Sequence, residues 1–173
     1  EPTPEAIAEI ARMPENGHNT IKLFLSRPYF EENTPEYLEV LRTAGRAGVL
    51  PMIHCEDSAI CTHLSLHLQR EGRTSAAYYG QSRPDYAEEA AIVRAMSLGQ
   101  AAECPIYIVH VSTKEGVEAI QRARLRGWTV FAETRPLYLY QTDEVHAAPD
   151  GAKWVGRPPV RRSKDVSAIW AAM

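Results

Sequence analysis

Two histidines and a lysine lie at corresponding places in the sequence. Lys22 lies within a short apolar run, His54 ends the next run, and His110 lies near the end of the third. Polar residues at the carboxyl ends of parallel strands converge on one pocket. Neutral imidazole is a common metal ligand, although a single histidine after a strand is more often a hydrogen-bonded structural residue. Two histidines at equivalent positions therefore leave two interpretations open. They are either ligands of a metal ion or hydrogen-bonded structural residues.

Lys22 is the more unusual of the three because Ile21 and Leu23 flank it. Burying an ammonium group costs several kcal/mol unless the group is paired or loses its proton. One interpretation is a salt bridge to a carboxylate such as Glu133. The other is that burial lowers the lysine pKa and leaves a neutral, nucleophilic amine. Such an amine can take up carbon dioxide as a carbamate, which has the shape and charge of a carboxylate and can bridge two divalent ions.

The remaining polar candidates have simpler interpretations. His63 and His67 lie four residues apart on a predicted helix, but the HExxH pattern is absent, so we expect an exposed helix face. Glu56 and Asp57 are expected to orient the preceding imidazole and to supply negative charge at a helix start. Arg161, beside a Pro-Pro turn, is expected to be a loop anchor or surface charge. The GxSxG, P-loop and GxGxxG motifs are also absent.

Strands and helices alternate along the chain, and the strands are apolar along their whole length. This pattern predicts a parallel sheet covered by helices, either doubly wound or part of a (β/α)8 barrel. Residues 112–115 have the form of a helix capping box, and residues 71–82 are expected to form a loop. The predicted strands are 20–26, 49–54, 105–111 and 128–133. The predicted helices are 5–13, 34–48, 58–70, 84–103, 112–127 and one beginning near 163.

Composition narrows the possible partners and location. The 173 residues are 45% hydrophobic and 24% charged and carry a net charge of −3, so nothing points to a nucleic-acid partner. No apolar run suits a membrane span. Three cysteines without CxxC spacing favour reduced thiols in a cytoplasmic protein. We place no boundary within residues 1–173, which form one segment of a single domain.

Six segments carry a resemblance to a known family. The chain resembles the cyclic amidohydrolases, specifically the hydantoinase and dihydropyrimidinase group. The similarity covers nearly all of this chain but only the central part of a family member. The segments, in family order, are TIKLFL, MIHCEDSAI, SRPDYAEEAAIVRAMSLGQ, IYIVHVSTKEGVEAIQRARLRG, VFAETRPLYL and AKWVGRPPVR.

The resemblance implies a partial TIM-like (β/α)8 barrel of the metal-dependent hydrolase type, with about four to five parallel strands present. It implies two divalent ions, zinc with manganese as the alternative, bridged by a carboxylated Lys22. His54 and His110 match the histidines that hold the second ion. The HxH pair of the family would precede residue 1, and its catalytic Asp would follow residue 173. The chain is therefore expected to contain no catalytic base and to be an incomplete copy that is inactive alone.

The substrate implied by the resemblance is a small cyclic amide or ureide, and the complete family member is expected to be a homo-oligomer. The substrate-contacting tyrosine of the family is replaced by Arg27, with Tyr29 two residues further on, and its substrate-holding serine is replaced by Arg157. We expect these three residues to line the substrate site. Two other functions remain open, namely allantoinase or dihydroorotase activity, and a non-catalytic binding or structural role.

Overall fold

The computed structural model describes all residues from 1 to 173 and contains one parallel sheet. The sheet order β1-β2-β3-β4 follows the chain, as expected for part of a (β/α)8 barrel. Phe24 pairs with His54, and Met52 pairs with Tyr107, so the carboxyl ends of β1 and β2 share one edge. The strands are β1 (Thr20–Phe24), β2 (Leu50–His54), β3 (Ile106–Ile108) and β4 (Val130–Ala132).

Eight α-helices and four short 3-10 helices connect and flank the strands. The α-helices are α1 (Pro4–Ile10), α2 (Pro28–Glu32), α3 (Thr34–Ala47), α4 (Ser58–Arg70), α5 (Asp85–Ala101), α6 (Lys114–Leu125), α7 (Pro136–Tyr140) and α8 (Ser163–Ala172). The 3-10 helices are Met13–Asn16, Ala76–Ser82, Asp143–Ala147 and Gly151–Trp154. The expected loop at 71–82 therefore contains a 3-10 helix. No helix combines the length and the apolarity that a membrane crossing requires.

Side-chain caps define where the two helices that follow β2 and β3 begin. Asp57 accepts a hydrogen bond from the Ile60 amide at 2.8 Å and caps α4, in agreement with its predicted place at a helix start. The capping box predicted at 112–115 does not form. Thr113 is the N-cap of α6 and accepts from the Gly116 amide at 3.1 Å, and Gly116 has no side chain that could complete a box. The Ser112 hydroxyl instead donates to a buried carboxylate, that of Glu88.

Only one face of the sheet is covered by helices. A core of 22 buried residues fills the space between the sheet and helices that include α3, α5 and α6. The alternate side chains of β1, including Lys22 and Phe24, are exposed, and so is Phe131 on β4 with 47% of its surface accessible. A parallel sheet normally buries both faces. The predicted helical cover is therefore present on only one face of the sheet, and the side chains of Lys22 and Phe24 lie on the other face.

Candidate metal centre

His54 and His110 meet at the carboxyl edge of the sheet. His54 ends β2, and His110 lies two residues beyond β3. Their rings are 4.8 Å apart at 75°, and Nδ1 of His54 lies 3.0 Å from Nε2 of His110. His54 is buried and His110 is half-buried. The structure thus brings together the two histidines that the sequence singled out.

Glu56 fixes the tautomer of His54. Its buried carboxylate lies 2.8 Å from Nε2 of His54, and an ionised carboxylate only accepts hydrogen bonds. Nε2 therefore carries the proton, and the lone pair of Nδ1 points toward His110. Burial raises the pKa of Glu56, but the hydrogen bond from His54 and the charge of Arg83 outweigh burial and leave the pKa below its usual value. Glu56 thus makes the contact that its predicted orienting role requires.

His110 has a backbone conformation that is rare for a residue with a side chain. Its φ of 46° lies in the left-handed region, which costs about 1–3 kcal/mol and is concentrated at functional sites. This geometry also ends β3 at Ile108, before the predicted limit at residue 111. Burial, followed by the charges of His54 and Lys22, lowers the pKa of His110 to about 3. At neutral pH the imidazole is therefore uncharged, as a metal ligand must be.

Lys22 lies on the same open face of the sheet but is exposed rather than buried. Its ammonium nitrogen is 5.4 Å from the ring centre of Phe24, and that ring is 5.5 Å from the ring of His54. Neighbouring groups remove part of the water around the ammonium, and this desolvation lowers the pKa of Lys22, whereas the charges of Cys55 and Glu133 act to raise it. Its predicted burial is wrong because the face of β1 that carries it has no covering layer.

The salt bridge between Lys22 and Glu133, which was one interpretation of the sequence, does not form. Glu133 instead accepts a hydrogen bond from the Tyr107 hydroxyl at 3.1 Å, and no carboxylate lies within ion-pair distance of the Lys22 nitrogen. His63 and His67 lie exposed on α4, as expected. No group of three His, Cys, Asp or Glu side chains is arranged to hold a metal ion. The candidate centre therefore consists of two imidazoles with an amine nearby.

The three predicted substrate residues occupy different places. The Arg27 guanidinium carbon is 5.3 Å from the centre of the Phe24 ring, which adjoins His54. Tyr29 lies on α2, where desolvation and the charges of Glu1 and Glu36 raise its pKa. Arg157 is exposed and lines a cavity of about 240 Å³ between the end of β1 and α4. Contact with substrate remains a prediction for all three residues.

A buried ionic cluster behind the histidines is not evident from the sequence. Arg83 lies 3.0 Å from Oε2 of Glu56. Nη2 of Arg161 donates to Glu88 at 3.1 Å, and both the amide and the hydroxyl of Ser112 donate to the same carboxylate. Arg161 is thus a buried anchor and not a surface charge. The spacing of three residues between Glu88 and the buried Ala91 is the one local signal that Glu88 points into the core.

We expect Glu88→Ala to destabilise the fold strongly. Glu88 is 1% exposed and Arg161 is 7% exposed, so the substitution leaves a buried guanidinium without its counter-charge. Breaking such a pair costs about 3–5 kcal/mol, which urea unfolding of the protein that contains this chain would measure. The neighbouring Glu89 pairs with Arg122 at the surface, so Glu89→Ala should cost less than about 1 kcal/mol. Equal losses for the two variants would contradict this assignment.

Known proteins with a similar sequence include hydantoinases. The chain is 36% identical over 178 residues to the D-hydantoinase of Ralstonia pickettii and 35% identical over 178 residues to that of Rhizobium radiobacter. Both similarities cover 100% of this chain and 38% of the relative. A D-phenylhydantoinase of Escherichia coli is 32% identical over 166 residues, covering 95% of this chain and 36% of that protein. No protein-family model matches the chain.

Solved structures agree with these relatives. A D-hydantoinase structure superimposes with a TM-score of 0.95 at 35% identity, covering 99% of this chain and 38% of the other. The dihydropyrimidinase of Brevibacillus agri gives a TM-score of 0.91 at 30% identity, covering 98% and 38%. The four-stranded parallel sheet is thus part of the hydantoinase barrel. In sequence and fold the chain matches one part of the hydantoinases and dihydropyrimidinases, and it spans 38% of the length of the two D-hydantoinases named above.

Proposed function

We propose that the protein containing this chain hydrolyses the C–N bond of cyclic amides such as hydantoins and dihydropyrimidines, using two divalent metal ions. The observation that carries the proposal is the pair His54 and His110. Their facing nitrogens are 3.0 Å apart, and a buried carboxylate fixes the tautomer of one of them. The names of the relatives support the substrate class, since they are those of enzymes that act on hydantoins.

The donor set fits the second of the two ions. Nδ1 of His54 and Nε2 of His110 converge, and borderline-soft imidazole nitrogen suits zinc, with manganese as the alternative. Nδ1 of His110 is buried without a hydrogen-bond partner. No donor therefore occupies this atom, and it can carry the ring proton when Nε2 binds the ion. A carboxylate behind a ligand histidine is the usual arrangement around protein-bound metals. His54 and His110 would hold the ion, and Glu56 would hold His54 in the required tautomer.

Lys22 would supply the bridging ligand as a carbamate. Desolvation by neighbouring groups lowers its pKa and so raises the fraction of neutral amine. The nitrogen lone pair forms a bond to the carbon of carbon dioxide, the electron pair of one C=O π bond moves onto its oxygen, and an N–H proton leaves to water. The product has the charge and shape of a carboxylate. Two ions held in this way would supply a hydroxide at neutral pH and polarise the amide carbonyl.

A substrate panel tests the proposed activity. The complete protein, stripped of metal with a chelator and then reloaded with zinc or manganese, should open hydantoin or dihydrouracil faster than allantoin or dihydroorotate. The loss of ultraviolet absorbance of the substrate measures ring opening. Turnover that persists unchanged after chelation would contradict the metal dependence, and a preference for allantoin or dihydroorotate would contradict the substrate class.

Zinc binding should change the tautomer of His110 but not that of His54. Without metal, Nε2–H of His110 is the group that donates to Nδ1 of His54, because Nε2 of His54 donates to Glu56. With zinc bound, both facing nitrogens must offer lone pairs, so the His110 proton moves to Nδ1. Nitrogen-15 NMR of histidine-labelled protein should show this exchange on titration with zinc.

The exposed His18 serves as an internal reference in that titration. Its ring-nitrogen shifts should not respond to zinc. A tautomer change at His54, or the same response at His18 as at His110, would contradict the proposed ligand atoms.

We also propose a small cyclic amide or ureide as the substrate, a homo-oligomeric complete protein and a cytoplasmic location. The three free, buried cysteines support a reducing compartment. The open, partly aromatic face of the sheet supports further packing against the remainder of the protein, because parallel sheets are covered on both faces.

A further inference from the structure

We infer that Arg161 is a positioning residue that couples the two candidate ligand histidines through one buried network of hydrogen bonds and ion pairs. This inference rests on the proposed function, since it assigns Arg161 to the geometry of the proposed metal centre. Arg161 follows the Pro158-Pro159 turn and lies more than 50 residues from either histidine in sequence, 107 from His54 and 51 from His110 by their numbers. Its side chain is 7% exposed.

The network reaches His54 through two buried side chains. Glu56 accepts from Nε2 of His54 at 2.8 Å, and its Oε2 also lies 3.0 Å from Nη1 of Arg83. Nη1 of Arg161 donates to the backbone carbonyl of Arg83. Arg161 therefore fixes the chain segment from which Arg83 reaches the carboxylate that orients His54.

The network reaches His110 through the backbone that follows it. Ser112 lies two residues beyond His110, and its amide donates to Oε1 of Glu88 at 2.7 Å. The Ser112 hydroxyl donates to Oε2 of the same carboxylate and accepts from Nε of Arg161 at 2.9 Å. Nη2 of Arg161 donates to Glu88 at 3.1 Å. All three guanidinium nitrogens are therefore engaged, and one side chain connects the supports of both histidines.

The conformation of His110 explains why such a support is needed. A φ of 46° persists only where the surrounding structure over-determines it. The Val109 amide donates to Ile53, and the Val111 amide donates to Glu133, which fixes the neighbours of His110 to the strands on both sides. Arg161 and Glu88 then hold Ser112. A lysine has a single nitrogen and cannot make the same three directed contacts.

The test uses Arg161→Lys in the complete protein. Zinc affinity, measured by competition with a chelator, should fall by about tenfold, the range typical for loss of a group that orients a ligand. Nitrogen-15 NMR of the metal-free protein should show a second tautomer population for His54 or His110. The surface variant Arg122→Lys, which affects only exposed ion pairs with Glu89 and Glu118, should match the wild type in both measurements.

A double variant, Arg161→Gln with Glu88→Gln, removes both buried charges and covers the case in which the single variant fails to fold. It should show the same loss of zinc affinity and the same histidine heterogeneity. Wild-type affinity and wild-type histidine spectra in the folded variants would overturn the positioning role. If the wild-type protein itself takes up no zinc, the proposed function fails, while the histidine spectra of the metal-free protein still test Arg161.

Discussion

Replacing Lys22 with alanine in the protein that contains this chain is expected to lower kcat/KM for cyclic-amide hydrolysis by about 10³-fold or more. The amine is the only group on this face of β1 that can become an anionic bridging ligand. Without that ligand, the two imidazoles must hold a divalent ion with no negative charge from this chain. Loss of the ion removes several kcal/mol of transition-state stabilisation. Steady-state assays with hydantoin, together with metal content, measure the effect.

Chemical rescue separates a missing ligand from a damaged fold. The alanine variant leaves a space that a short carboxylate such as acetate or propionate can enter, and such an anion resembles the lost carbamate in shape and charge. We expect partial recovery of activity at high concentrations of these anions. Lys114→Ala is the matched control, since Lys114 is exposed and paired with Glu118, and it should retain wild-type activity. Full activity of Lys22→Ala would contradict the bridging role.

The sequence correctly predicted the parallel sheet and the proximity of His54 and His110 at its carboxyl edge. Each strand is a mostly apolar run, interrupted in β1 by Lys22, and such runs are typical of parallel strands under helices. Because all four strands are parallel and adjacent in chain order, residues at equivalent strand ends had to share one edge. That geometric constraint is why the sequence alone could pair His54 with His110 across 56 residues.

The surroundings of these residues could not be predicted in the same way. The sequence around Lys22 predicts that alternate side chains of β1 lie on opposite faces of the sheet. It does not predict which of these faces is covered by helices. The sequence could not identify the N-cap of α6, because both Ser112 and Thr113 are suitable N-cap residues. Glu88, which is distant in sequence, binds Ser112 and leaves Thr113 as the N-cap. The pair of Glu88 and Arg161 joins residues 73 apart, and no local pattern reports such a contact.

The 173-residue chain on its own is expected to show no measurable cyclic-amide hydrolysis, even with added zinc. It presents two imidazoles and an amine, and no cluster of three His, Cys, Asp or Glu side chains that could hold an ion. A two-metal reaction needs ligands for both ions and a group that transfers a proton to the leaving nitrogen. The exposed face that carries Phe24 and Phe131 would also favour association of the isolated chain.

The measurement pairs an overnight hydantoin assay of the purified chain with its zinc content and its size in solution. The complete protein, assayed at the same molar concentration, is the positive control. Weak zinc binding without turnover is the expected result, because His54 and His110 can still contact an ion while the remaining ligands are absent from this chain. Turnover by the isolated chain that depends on zinc and is lost in His110→Ala would contradict the expectation, since a half-site of two histidines and Lys22 would then suffice for catalysis.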